Sequence, residues 1–132
     1  MLRPSLLCLV LLITACSPQG DEAGITIEEP WIRETPPGLT VAAGYLDIRN
    51  DGAQTRVLVA ARSPDAARVE IHTMEHKEGM MHMRQVDRLE VPAGATVTLE
   101  PGGLHLMLFD IETAAAGHHV PVTLLFDDGW SI

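Results

Sequence analysis

The sequence predicts an all-β domain, a sandwich of short antiparallel strands, and two observations carry that prediction. Nine prolines and eleven glycines punctuate the apolar runs, and no stretch holds a 3.6-residue apolar period over a dozen positions. What remains is about ten short, β-branched or alternating segments, with turn residues every eight to twelve positions.

The first fifteen of the 132 residues stand apart from that domain. Arg3 is followed by an apolar run, Leu6 to Ile13, too short to span a bilayer as a helix, and small residues close it. This is the layout of a secretory signal. Ile13-Thr14-Ala15-Cys16 resembles the lipobox of bacterial lipoproteins, which predicts cleavage before Cys16 and lipid on its thiol. Ser17 in place of an aspartate is similar to the pattern sent to the outer membrane in Gram-negative cells. Residues 16–24 are then the lipidated cysteine and a small, polar tether. The periplasmic face of the cell envelope is the expected location.

Residues 25–132 are expected to form one domain. Its strand candidates are Ile25–Glu28, Trp31–Glu34, Ala42–Arg49, Thr55–Ala61, Arg68–Met74, Met81–Arg84, Arg88–Val91, Ala95–Leu99, His105–Phe109 and Pro121–Phe126. Asn50-Asp51-Gly52 and Pro92-Ala93-Gly94 are turn signals, the second suited to joining a hairpin. Two sheets in Greek-key order would bury Val57, Val59, Val69, Ile71, Val97, Leu99, Leu104, Leu106, Leu108, Val122 and Leu124.

Composition excludes several functions. Cys8 leaves with the signal and Cys16 carries lipid, so the domain has no thiol. Disulfides, a CxxC redox pair, a cysteine nucleophile, thiolate zinc and a blue-copper centre are all ruled out. Without Arg3 the balance is 8 basic against 18 acidic residues. That surface repels nucleic acid, so no nucleic-acid partner is expected, and solubility accounts for the acidity.

The chemistry gathers on strand faces. Along Arg68–Met74, Val69 and Ile71 point one way while Glu70, His72 and Met74 point the other. In the Leu104–Phe109 segment the leucines take the core, which leaves His105 and Met107 together on the opposite face, about 6–7 Å apart at the backbone. Between these strands lies Met80-Met81-His82-Met83. Thioether sulfur and imidazole nitrogen, without thiolate or a carboxylate cluster, select a soft monovalent ion, and Cu(I) fits best. Zinc would want thiolate, imidazole or carboxylate, and calcium or magnesium would want oxygen. Taken singly, a strand methionine is more often gap-filling core, and a strand histidine a solvated polar residue.

The arrangement meets a family pattern. His72 is followed after ten residues by Met83, after twenty-one by His105 and after one by Met107, which resembles the signature of the PCuAC periplasmic copper-chaperone family without a gap. The likeness extends over residues 27–127, through Trp31-Ile32-Arg33, Ala43-Gly44-Tyr45, Val69-Glu70-Ile71-His72, Val91-Pro92-Ala93-Gly94 and Pro101-Gly102-Gly103-Leu104-His105-Leu106-Met107. It implies a cupredoxin-like Greek-key β-sandwich binding one Cu(I) per chain through His72, Met83, His105 and Met107. It also implies delivery of copper to envelope acceptors, such as the copper sites of cytochrome c oxidase or thiol-bearing copper chaperones. Two features depart from the family. The chain stops at Gly129-Trp130-Ser131-Ile132, leaving the last strand missing or very short, and the lipid anchor replaces a soluble form.

A copper-sequestering lipoprotein without a dedicated acceptor would share the same site. An electron-transfer protein of cupredoxin type would want a cysteine ligand, and no Ser-His-Asp spacing or paired carboxylates mark an enzyme. Met74, His76, Met80, Met81 and His82 read either as a second, weaker copper site or as a polar hairpin loop beside the main one. His118-His119 reads as a solvated pair.

Overall fold

The computed structural model describes residues 24–112 and 114–132, all of it strand, turn and loop, with no helix among them. The signal, Cys16 and the tether up to residue 23 lie outside the described residues. Nine strands follow in order: β1 Ile25–Ile32, β2 Val41–Asn50, β3 Arg56–Arg62, β4 Arg68–Lys77, β5 Met80–Gln85, β6 Leu89–Val91, β7 Thr96–Leu99, β8 His105–Phe109 and β9 Thr123–Phe126. Every pairing is antiparallel. The strands form a curled sheet in the order β1-β2-β8-β4-β3-β6, with β5 on β4, β7 on β2 and β9 on β3. The two halves of that curl meet through a single pair, Ala61 with Val69.

Two expected strands, Ile25–Glu28 and Trp31–Glu34, are one. Ile25 to Glu28 pair with Asn50 back to Asp47, and Trp31 and Ile32 pair with Tyr45 and Gly44. Glu29 and Pro30 together oppose Leu46, and Glu29 takes φ 48°. Proline has no N–H for the ladder, so a bulge is where a strand can hold one. A second expectation fails at Pro92-Ala93-Gly94. It does form a tight turn, with the Ala95 N–H donating to the Pro92 carbonyl at 3.1 Å. It joins no hairpin, however, because β6 pairs with β3 and β7 with β2. The turn carries the chain from one layer to the other. The true two-residue hairpin turn is Glu78-Gly79, both at positive φ (53° and 78°), the mirror-image geometry that matches strand twist.

The core lies between the layers: Ile48, Leu106, Leu108 and Ile71 from one side, Leu58, Val91, Leu124 and Phe126 from the other. On β3 the expected face is inverted. Val57 and Val59 are half-buried while Leu58 is fully enclosed. Every residue in Val57-Leu58-Val59 is apolar, so alternation alone could not choose, and a register shift against β9 between Leu58 and Ala60 next brings Ala61 inside. Asn50 is buried at a turn with its amide fully used. Its side-chain N–H groups donate to the carbonyls of Gln54 and Val91, both at 2.8 Å, and its oxygen accepts from the Gly52 N–H at 3.0 Å. The chain after β9 turns back on it: Leu125 bridges Ser131, and Leu124 and Ile132 exchange backbone hydrogen bonds of 2.7 and 3.1 Å.

Candidate metal centre

Residues paired directly across an antiparallel ladder share a face, so the registers of β5, β4 and β8 define one face of the sheet, turned away from the core. His72 is opposite His105, Glu70 opposite Met107 and Arg68 opposite Phe109. On the other edge of β4, Met74 is opposite Met83 and His72 opposite Gln85. Ile71, Leu106 and Leu108 take the core side. The four residues singled out from sequence therefore occupy the same sheet face.

They do not sit equally close. His72 and His105 form the centre, with ring centroids 5.8 Å apart and planes inclined at 44°. Two imidazoles sharing one first-row ion at a nitrogen–metal distance near 2 Å would have centroids about 5.2 Å apart at a tetrahedral angle and about 6.4 Å apart in a line. The observed spacing lies between. Met107 is the next residue on that face of β8, half-buried. Met83 lies on the far side of His72, on the hairpin strand, 47% exposed. In a flat sheet Met83 and Met107 would stand on the order of 15 Å apart at the backbone. Coiling of the hairpin and the reach of two long thioethers must close that gap for all four to meet on one ion.

The hydrogen bonds settle which nitrogens are free. The Nδ1–H of His105, a buried ring, donates to the Gly103 carbonyl at 3.0 Å, which leaves Nε2 with its lone pair. The Nε2–H of His72 donates to a Glu70 carboxylate oxygen at 2.8 Å. Its Nδ1 is buried and has no hydrogen-bond partner. A buried polar atom without a partner is costly and calls for an explanation; a bare basic nitrogen on a ring beside that of His105 is a donor available to a metal. Holding the second ring nitrogen by a carboxylate or a carbonyl is also how metal-ligating histidines are oriented.

Sequence patterning placed Glu70 on this face without giving it a task. It braces His72 and is braced in turn: the Arg68 Nε–H donates to its other oxygen at 2.8 Å, and the Arg68 guanidinium stacks 3.8 Å above the Phe109 ring. The hydrogen bond from His72, then that from Arg68, hold the Glu70 carboxyl below its ordinary value of 4.5, against the opposing effect of burial. The signal that could have found this role is the two-residue spacing of Glu70 and His72 on one strand face. Among the described residues no three His, Cys, Asp or Glu side chains gather as a metal cage; the candidate donors on this face are imidazoles and thioethers, types that suit a soft ion. His118 and His119 lie on a different part of the molecule, lining a cavity of about 560 Å³ between β1, β2 and the loop before β9.

Comparisons agree with this architecture. The copper-bound PCuAC domain from PmoF2 superimposes with a TM-score of 0.67 at 28% identity, over 83% of this chain and 86% of that one. The solution structure of CuI-DR1885 from Deinococcus radiodurans gives 0.66 at 31% identity, over 86% and 78%. The fold is thus the cupredoxin-like β-sandwich of PCuAC domains, as the motif resemblance implied. The "Putative lipoprotein Lxx21020" of Leifsonia xyli subsp. xyli is 34% identical over 125 residues, 92% of this chain and 74% of that protein. Residues 25–132 match the family described as "Putative lipoprotein LpqE-like", and the chain belongs to that LpqE-like family.

Proposed function

We propose that the protein is a lipid-anchored copper chaperone of the cell envelope that carries one Cu(I) on the outer face of β4 and β8. The observation that carries this reading is the unpartnered, buried Nδ1 of His72 beside His105. The copper-bound domains of the same fold and the lipoprotein relative support it. His72, His105, Met107 and Met83 are the proposed ligands, with residues 1–15 as signal and Cys16 as the lipidated residue.

Copper here is cargo. All four ligands are neutral, so the bound ion keeps its charge and no thiolate pins it. His72 and His105 hold their rings fixed through Glu70 and Gly103, giving a prepared two-nitrogen seat. Met83, on an exposed strand, is the ligand an acceptor's donor can displace first. A thiol-bearing acceptor, such as a copper site of cytochrome c oxidase with its cysteines reduced, then completes the exchange.

The test mixes Cu(I)-loaded protein with a reduced soluble copper domain of the oxidase and follows the metal by NMR. Transfer within minutes, faster than release to a chelator of equal strength, is expected. Transfer no faster than release would replace delivery by sequestration, and no copper uptake by the wild type would remove both.

A further inference from the structure

The β4–β5 hairpin carries five soft donors beyond the ligand set proposed above, and its register sorts them. On the face of His72 lie Met74 and His76 from β4, with Met81 and Met83 from β5; Met74 is opposite Met83 and His76 opposite Met81. The reverse face holds Glu75, Lys77, His82 and Arg84, with an Arg84–Glu75 ion pair at 2.7 Å. Met80, opposite Lys77, also falls there. Beyond His72, the centre's face of the hairpin thus carries thioethers and an imidazole and no charged residue.

At the tip, His76 Nδ1 lies 3.3 Å from the sulfur of Met81, and Met81 is 52% exposed. The mirror-image turn at Glu78-Gly79 fixes a two-residue loop, and loop length fixes register. The pairing of His76 with Met81 is therefore built in by the turn. Every residue of β5 is exposed, and among the described residues β5 pairs only with β4. Three methionines on an exposed edge strand gain little from packing and invite edge-to-edge association. A coordination role accounts for soft side chains there.

We propose that His76 and Met81 form an outer docking site for Cu(I), from which the ion steps through Met74 and Met83 to the His72–His105 seat. The three levels follow one another two residues at a time, about 6–7 Å along the strand, a gap that flexible thioethers bridge. Two neutral donors suffice for a soft monovalent ion, and so few bind weakly, as an entry site requires. This inference rests on the copper reading above, and the experiment separates the two.

The chain carrying His76→Gln and Met81→Leu is compared with wild type for Cu(I) loading from a chelator by stopped flow, and for affinity at equilibrium. Loading about tenfold slower, from loss of the local concentration the outer site provides, with equilibrium affinity unchanged, is expected. In a His72→Gln chain, Ag(I) should still shift the Met81 methyl resonance, and shift it far less once His76→Gln is added. Loading at the wild-type rate, or a Met81 methyl indifferent to Ag(I), overturns the docking site while one Cu(I) lost on His105→Ala leaves the main reading standing. A wild type that takes up no Cu(I) overturns both.

Discussion

Replacing Glu70 by glutamine tests whether the carboxylate beneath His72 tunes the site. The amide oxygen can still accept from the His72 Nε2–H, so shape is kept and charge is lost. From the 2.8 Å hydrogen bond, the width of the ring and a metal–nitrogen bond near 2 Å, the carboxylate lies about 6–7 Å from an ion on Nδ1. At an effective dielectric between 20 and 80 that is worth about 0.6–2.5 kcal/mol of attraction. Arg68, bonded to the other carboxylate oxygen, offsets part of it, while weakening a charge-assisted bond to a neutral one adds to the loss. Together these give an expected fall of about tenfold or more in Cu(I) affinity, within the range for residues that orient a ligand. Competition with a chromophoric Cu(I) chelator measures it, with the thermal midpoint of the metal-free protein as control. Affinity within about twofold of wild type, with the fold intact, would refute the bracing role of Glu70 and the assignment of Nδ1 as ligand.

Further outcomes follow from other residues. Met107→Leu and Met83→Leu keep volume, so each should cost under about 1.5 kcal/mol of stability; both should weaken Cu(I) binding, Met107→Leu the more, because Met83 is half exposed on a strand that must fold inward, and equal wild-type binding by both variants would exclude thioether ligation. Asn50→Ala strips partners from the Val91 and Gln54 carbonyls and the Gly52 N–H, and urea unfolding should show a loss of about 1–3 kcal/mol. The folded-state pKa of Glu70 is depressed, so its contribution is fully present above pH 4.5 and is lost as pH falls through the lower folded value; metal-free wild type should lose more stability than Glu70→Gln on acidification below that point, and parallel acid profiles would contradict it. Cys16→Ser should remove acylation and release the protein from membranes, and an unchanged mass and membrane fraction would rule out the anchor.

Much of the molecule was legible in the residues. Glycine and proline spacing specified an all-β chain because neither residue serves inside a long regular element. Alternation put Leu106 and Leu108 inward, hence His105 and Met107 outward, since a strand's side chains have a period of two. The spacing of His72, Met83, His105 and Met107 carried the family resemblance. Tertiary pairing decided what alternation could not. The uniformly apolar Val57-Leu58-Val59 has no polar face to mark the outside, so Leu58 became core only when β3 met β6 and β9. Pro92-Ala93-Gly94 has hairpin chemistry, yet the partners available to β6 and β7 lie in different layers. Residues thirty-three apart, His72 and His105, face each other because β8 enters between β2 and β4, a long-range register no local pattern encodes. The same pairing, with Glu70 beside His72 and the Gly103 carbonyl beside His105, selects which ring nitrogens stay bare. Donor types are written in the chain; lone pairs are aimed by the fold, because aiming one requires a hydrogen bond at the other nitrogen.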